Sequence, residues 1–295
     1  MRSYSEAYRE LAHLWREYRA EQARATRAAA VAVKYESDLE RPPQSMRPFR
    51  QRMAELHRQI EARHLACARL HFLHALRLQR WHFGDRAALR PLFMTAVAMH
   101  LGVDSAAVTL IDPTGDEALV AASDSTARAA HDIELTVDEG PGHDVLDGQA
   151  FVTADSTELA TRWPHYGPAL TGLGMRSVVA VPLISSHLLG ALCGFSNRTV
   201  LRAEITTVAE KVADALANTV LLSASGNDPD GNPRGTLFDE ADYLAVLHQA
   251  VGMVAVQCSC DLDAARALLR ARAFAEGVTI TEIAHRVLQD GYQLC

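Results

Sequence analysis

The chain has 295 residues, 48% of them hydrophobic, which is enough for about two domains with cores of their own. No run of about 18 apolar residues occurs and the first residues carry charges of both signs, so we expect a cytoplasmic protein with no membrane contact and no secretory signal. The net charge of −7 is unevenly spread: basic residues number 16 against 9 acids in residues 1–83, 8 against 17 in 84–222 and 5 against 10 in 223–295. An acidic middle argues against a nucleic-acid surface there, because phosphate neutralisation dominates non-specific binding.

The five cysteines form an odd, scattered set without a CxxC pair. Such a set fits a reducing compartment better than a disulfide framework. Cys193 lies in an apolar, strand-like run, so we expect a small buried hydrophobic residue there. The other cysteines are Cys67, Cys258, Cys260 and Cys295.

Residues 1–83 predict a helical hairpin or a dimerising coiled coil. From Ser3 to Glu40 the residues are almost all helix formers, with no Gly or Pro. The prolines between Arg41 and Pro48 end this helix, because proline cannot continue one and restricts the residue before it. A second helix is predicted from about Phe49 to Trp81.

The second predicted helix carries a seam of residues at alternating steps of four and three, which is the spacing of a coiled-coil heptad. Imidazole and thiolate groups on this seam suit zinc or copper, although the spacing is not that of a zinc finger. Polar residues at seam positions also set the register of helix pairing, and we favour that structural role over a metal site. The candidates are His64, Cys67, His71 and His74.

Residues 84–222 predict an α+β domain with an antiparallel sheet flanked by helices. A leading helix is expected over Arg86–His100, and an amphipathic closing helix over Arg202–Leu222. Between them the pattern changes to short, β-compatible apolar runs separated by turn residues. The strands are predicted at Ala106–Ile111, Ala118–Ala122, Ala150–Thr153, Ser177–Ile184 and Leu188–Phe195.

An ordered series of short motifs in this region resembles the GAF domains of bacterial signalling proteins. The series comprises Asp138–Pro141, Gly148–Ala150, Arg162–Pro164, Gly174–Ser177 and Val181–Leu192. The resemblance implies a sheet of about six strands with a small-molecule pocket or a dimer surface, and usually no catalysis. Residue 142 is Gly142, where some relatives have a cysteine, so a cysteine-attached chromophore is not expected.

The candidate pocket of this domain centres on the turn made by Gly140 and Pro141, with Trp163 placed to wall a cavity. His143 follows the turn and is a candidate titrating group, and Arg176 belongs to the same motif series. These residues identify neither the ligand, which could be a small molecule or a protein signal, nor a cofactor.

Residues 223–236 are rich in Ser, Gly, Asn, Asp and Pro and predict a linker. Residues 237–295 predict an all-α unit of three short amphipathic helices, with Asp261 as N-cap and Gly277 as C-cap of the second and Thr281 opening the third. A unit of this size buries only about 60% of its unfolded surface, so we expect it to depend on a partner or on the preceding domain.

The tail, residues 237–295, resembles the ANTAR domain, a three-helix RNA-binding module of bacterial antiterminators. The resemblance is carried by Gln249, Ala250, Gly252, Met253, Ala264, Leu268, Leu269, Arg270, Ala273, Ile283, Ala284 and Val287. It implies binding of tandem RNA hairpins in nascent transcripts, whose splayed loop bases are accessible to proteins. The predicted RNA-binding residues are Gln249, Arg266, Arg270, Arg272, His285 and Arg286.

The predicted RNA-binding surface is weakly cationic. Arg266 and Arg270 lie one helical turn apart and share a face, whereas Arg272 points elsewhere. With so few phosphate contacts a single tail should bind weakly, and pairing two tails in a homodimer should raise the affinity about 100-fold or more.

We therefore predict a signal-responsive transcription antiterminator whose sensor domain controls the spacing or exposure of paired RNA-binding tails. We expect no enzymatic activity, because the chain has no Ser-His-Asp, HExxH or phosphate-cradling glycine motif. Two alternatives stay open: a protein-interaction scaffold whose tail packs only against other helices, and a redox or metal sensor acting through the His and Cys seam.

Overall fold

The computed structural model describes residues 4–83, 92–113, 115–224 and 243–295. The predicted start of the leading helix at Arg86, most of the linker 223–236 and the predicted domain starts at residues 84 and 237 lie outside these residues.

The N-terminal segment is an antiparallel helical hairpin. Helix α1 spans Tyr4–Ser37 and helix α2 spans Arg47–Phe83, with a short 3₁₀ turn at Gln44–Met46 between them. The proline-rich turn forces the reversal, because its residues cannot extend either helix. Leu14 and Leu78, near opposite ends of the segment, are both fully buried in one small core between the helices. The predicted hairpin is confirmed.

The central domain, predicted over residues 84–222, contains an antiparallel sheet with the strand order β2-β1-β5-β4-β3. The resemblance implied about six strands, whereas the described residues form five, in agreement with the five apolar runs of the sequence. Strand β4 coincides with its predicted bounds. The strands are β1 Ser105–Ile111, β2 Glu117–Ala122, β3 Val152–Ala154, β4 Ser177–Ile184 and β5 Leu188–Ser196.

Helices cover both faces of this sheet. On one face lie α3 (Phe93–Leu101) and α8 (Ile205–Ala224); on the other lie α4 (Ser125–Val137), α5 (Pro141–Leu146), α6 (Leu159–Arg162) and α7 (Tyr166–Gly172). Alternate residues of β4 serve the two cores, Val179 and Val181 on the first face and Val178 and Ala180 on the second. The hairpin joins the first core, because α2 contributes the buried residues Ala66, Cys67 and Leu70 to it.

The tail consists, within its described residues, of helices α9 (Tyr243–Cys258), α10 (Leu262–Glu276) and α11 (Ile280–Gln289). As predicted, the Asp261 side chain caps α10 by accepting from the Ala264 amide, and Gly277 ends it with a φ of 65°. Thr279, rather than the predicted Thr281, opens α11 by accepting from the Glu282 amide. The tail's core also includes Val120 of β2, so the tail packs against the central domain.

A disulfide joins Cys258 to Cys295, with a Cα–Cα distance of 5.6 Å. The expectation that the cysteines form no disulfide is therefore wrong for this pair. The two residues are 37 positions apart in sequence, and α11 packing on α9 brings the end of the chain back to the end of α9. Cys67 and Cys193 are buried and belong to no disulfide among the described residues, and the burial of Cys193 is as expected.

In the part of the chain that the structure describes, no single helix has both the length and the hydrophobicity to cross a membrane. Helices α9 and α10 meet those criteria only as a pair bent by 103°.

Candidate functional site

The His and Cys seam of α2 is divided between two neighbours. His64 turns toward α1, where its Nδ1 lies 2.6 Å from an oxygen of Glu21. Cys67 and His71 turn toward the central domain: the Cys67 thiol donates to the Ala215 carbonyl at 3.4 Å, and the His71 ring lies 5.8 Å from that of Phe93. Among the described residues no three His, Cys, Asp or Glu side chains are grouped to hold a metal ion.

His71 and His74 pack on the same aromatic ring, since His74 is 1% exposed and lies 5.6 Å from Phe93. Burial is the largest influence on His71 and lowers its pKa. These residues therefore pack the hairpin onto the central domain through two imidazole rings and a buried thiol.

The predicted pocket residues lie in different places. Gly140 and Pro141 form the start of α5, where the backbone amide of His143 donates to a carboxylate oxygen of Glu134 at 2.9 Å. Trp163 is 3% exposed and belongs to the second core of the central domain. Arg176 is exposed just before β4, where its backbone amide donates to the Ser196 carbonyl, so it does not line this core.

Close packing explains why residue 142 is glycine. A Cβ at Gly142 would lie 3.1 Å from a carboxylate oxygen of Glu134 and 3.3 Å from the sulfur of Cys193. Any side chain there would press on both groups, so the glycine lets α5 approach α4 and β5.

Titratable groups missed by the sequence analysis are buried beside this turn. Burial raises the pKa of Glu134 to about 7, because a carboxylate loses hydration there. Glu117 and His131 form an ion pair at 2.8 Å. Burial opposes the charged form of both, but their mutual attraction is stronger, so the pKa of His131 is raised and that of Glu117 is lowered.

Two aromatic polar groups in the same core have no hydrogen-bond partner, namely the Tyr166 hydroxyl and the Trp163 indole nitrogen. Tyr166 is fully buried, and burial, followed by the charge of Glu134, raises its pKa. This side of the sheet is thus filled by side chains, among which the Tyr166 phenol and the Trp163 indole are buried polar groups without a partner.

Arg266 and Arg270, which were predicted to contact RNA, face the central domain. The Arg266 guanidinium forms an ion pair with Asp116 at 3.1 Å. The Arg270 guanidinium forms an ion pair with Asp138, which ends α4. Their predicted common face is confirmed, and it is the face turned toward the central domain.

The other predicted RNA-binding residues lie on the outer side of the tail. Arg272 donates to the Tyr292 hydroxyl at 2.6 Å and pairs with Glu276 at the same distance. Arg286 pairs with Glu276 at 2.7 Å and with Glu282 at 2.6 Å. Gln249 and His285 are exposed.

Hydrogen bonds and apolar packing complete the interface between the tail and the central domain. The backbone amide of Ile280 donates to the Thr136 hydroxyl at 2.9 Å in a buried position, and the Thr281 hydroxyl donates to Asp132. The His248 ring donates to the Glu117 carbonyl at 3.1 Å. A cavity of about 180 Å³ lies within this interface, lined by residues that include His143, Arg266 and Arg270.

Sequence reasoning missed the central-domain half of this interface. The residues are Asp116, Asp132, Thr136 and Asp138. The sequence indicates this interface only through its charges. Residues 84–222 are acidic, and the tail has few cations, two of which are arginines on one helix face.

Comparison with known proteins identifies the central domain. Residues 85–220 match the family model described as the GAF domain, so the chain contains a GAF domain, which indicates a role in signal sensing. No curated protein matches the chain. Among solved structures, the chain is similar to a domain of a two-component sensor histidine kinase protein from Sinorhizobium meliloti 1021. The two sequences are 16% identical, the match covers 45% of this chain and 88% of that chain, and the TM-score is 0.34. At that TM-score the likeness supports no conclusion about function.

Proposed function

We propose that the chain is a non-enzymatic, signal-responsive transcription antiterminator, in which the GAF domain controls an ANTAR-like tail that binds paired RNA hairpins. The match over residues 85–220 supports the sensing half. The three described helices of the tail and its resemblance to ANTAR domains support the output half. The functional unit in this proposal is a cytoplasmic homodimer, because two tails on one RNA raise a weak affinity without new contacts.

The observation that carries the proposal is the pairing of Arg266 and Arg270 with carboxylates of the GAF domain. A guanidinium binds carboxylates and phosphates with the same planar set of donors. Asp116 and Asp138 therefore occupy the groups that an RNA backbone would need. Control by exposure follows directly: the docked tail presents a neutralised face, and the released tail presents a cationic one.

The strength of these ion pairs suits a switch. The Arg266 and Arg270 side chains are each 29% exposed, and their Asp116 and Asp138 partners are 52% and 53% exposed. Pairs this close to solvent contribute about 0.2–1 kcal/mol each. A signal that changed the GAF domain's preference for the docked tail by a few kcal/mol would shift the population strongly.

Binding of the full chain to a two-hairpin RNA at low salt tests this proposal. Arg266→Gln with Arg270→Gln should weaken binding and reduce the slope of log affinity against log salt by about 1.4, since each single-strand phosphate contact contributes about 0.7. Asp116→Asn with Asp138→Asn should strengthen binding about two- to tenfold by releasing the arginines.

Glu204→Gln with Glu210→Gln is the matched control, because it removes two exposed carboxylates of the central domain that are remote from the tail. If the Asp116→Asn, Asp138→Asn variant and the Glu204→Gln, Glu210→Gln variant strengthen RNA binding equally, only the net charge of the chain matters. Absence of binding by every variant, even at low salt, would remove the RNA output.

A protein-interaction scaffold is the second candidate. It is favoured by the carboxylate partners of Arg266, Arg270, Arg272 and Arg286 within the described chain. On this hypothesis the arginines serve only the fold, and freeing Arg266 and Arg270 gives no affinity for RNA.

A further inference from the structure

A cavity of about 570 Å³ lies where the N-terminal hairpin meets the first face of the central domain. It is bordered by α1 and α2 on the hairpin side and by the end of α3 and the first half of α8 on the other. This volume is in the range of small-molecule sites, and the cavity lies at a junction between two structural units, where such sites are common.

The body of the cavity is apolar and aromatic. The rings of Tyr18 and Phe72 lie 5.5 Å apart in its wall, with Val208 across from them on α8. Leu65 also lines it and is 49% exposed, although its neighbours Ala66 and Cys67 are buried. Apolar surface left open beside a core stabilises a bound apolar group.

The charged groups that line the cavity are both cations. Arg69 and Lys211 line it from opposite structural units, and no carboxylate is among its lining residues. Neither cation forms an ion pair within the part of the chain that the structure describes. In a protein of net charge −7, these two cations place local positive charge beside an apolar cavity.

His100 adds a hydrogen-bonding group to the cavity wall. Its Nδ1 is buried and has no partner. Burial, assisted by the charge of Arg69, lowers the pKa of this imidazole to about 4, so the ring is neutral near pH 7 and has a vacant hydrogen-bonding position.

We propose that this cavity binds a small amphipathic carboxylate, with its apolar or aromatic body against Tyr18, Leu65 and Phe72 and its carboxylate on Arg69 and Lys211. Such a ligand would join α2 of the hairpin to α8, the last described helix before the tail. The site does not depend on the RNA-binding proposal, because none of its residues belongs to the interface with the tail.

Calorimetric titration of the full chain with phenylacetate and octanoate tests the site. Both should bind once per chain. Acetate, which lacks the apolar body, and phenylacetamide, which lacks the charge, should bind at least about tenfold more weakly. Arg69→Gln and Lys211→Gln should each weaken phenylacetate binding about two- to fivefold, and about tenfold together.

Ala62→Trp is a second test, because Ala62 lines the cavity and a large side chain there should fill it and abolish binding while the thermal unfolding transition is retained. Arg80→Gln is the matched control, since Arg80 is an exposed cation of α2 outside the cavity. Three results would each overturn the proposal: no saturable binding of either carboxylate up to about 10 mM, binding unchanged by the three cavity substitutions, or conversion of a dimer to a monomer by Ala62→Trp, which would make the cavity a subunit interface.

Discussion

The guanidinium of Arg270 in the tail is paired with the carboxylate of Asp138, a residue that ends α4 in the left-handed conformation with a φ of 60°. Glycine adopts this conformation without steric cost and is the usual residue at such an end. Aspartate is less favourable than glycine in this backbone conformation, but it supplies a carboxylate, which glycine lacks. The end of a sensor helix is thereby tied to the face of the tail that was predicted to meet RNA.

Replacing Asp138 by Asn should loosen the tail without unfolding the central domain. Asparagine tolerates the left-handed conformation, so the change removes mainly the charge. Because both side chains are partly exposed, we expect about two- to fivefold faster amide exchange in α10 and α11, measured by hydrogen–deuterium exchange with mass spectrometry.

Asp138→Gly separates the ion pair from the backbone cost. It removes the same carboxylate but relaxes the left-handed residue, so the tail should loosen as in Asp138→Asn while the central domain gains about 0.5–1 kcal/mol of stability. If exchange in α10 and α11 is unchanged in both variants, the ion pair does not hold the tail.

The start of α11 should be more sensitive than the exposed ion pairs. The Thr136 hydroxyl accepts the buried amide of Ile280 at 2.9 Å and itself donates to the Asp132 carbonyl at 2.7 Å. Thr136→Val keeps the shape but leaves that amide unsatisfied, which costs about 1–3 kcal/mol. We expect the tail to unfold at a lower urea concentration. Amide hydrogen exchange in α11 measures this unfolding. Thr171→Val, which removes a hydroxyl that bonds only within its own helix at Gly167, is the control and should leave α11 unchanged.

Local patterns predicted most of the elements. Strand β4 was placed at its observed bounds because turn residues flank a continuous apolar run, and Asp261 and Gly277 were identified as caps because their chemistry is local. The sheet was overestimated by a strand, since the strand count came from the family resemblance and not from the residues themselves.

What the sequence could not give are the contacts made at long range. Arg266 and Asp116 are 150 positions apart, and neither has a neighbour that identifies the other as its partner. Glu134 is 3% exposed because its carboxylate packs against the start of α5, a contact that no local pattern in the sequence indicates. Cys258 and Cys295 looked unpaired for the same reason, since only the packing of α11 on α9 brings them together.

Reduction of the Cys258–Cys295 bond should destabilise the tail. The bond closes a segment separated by 37 positions, for which a contribution of about 2–4 kcal/mol is typical. It also holds the segment carrying Tyr292, which packs on Arg272 with the guanidinium 5.3 Å from the ring centroid. Cys295→Ser should therefore lower the unfolding midpoint of the tail and speed exchange at the end of α10. Cys260→Ser, a free cysteine in the same unit, should do neither; equal midpoints for the two variants under oxidising conditions would contradict a stabilising bond.

Glu134 should make the stability of the central domain depend on pH. Its pKa is raised from an ordinary value of 4.5 to about 7, so between these values the folded state holds a proton that the unfolded state has released. Stability is consequently lost as pH rises through this window, by about 3 kcal/mol when the group is fully ionised, at about 1.4 kcal/mol per pKa unit. Glu134→Gln removes this loss and keeps an oxygen that accepts from the His143 amide. The free energy of unfolding of the variant, relative to that of the original chain, should therefore rise between pH 5 and pH 8. Denaturant unfolding at the two pH values measures that gain, while Glu210→Gln, which neutralises an exposed carboxylate of α8, should show none. A constant difference between Glu134→Gln and the original chain at both pH values would mean that Glu134 does not titrate in this range.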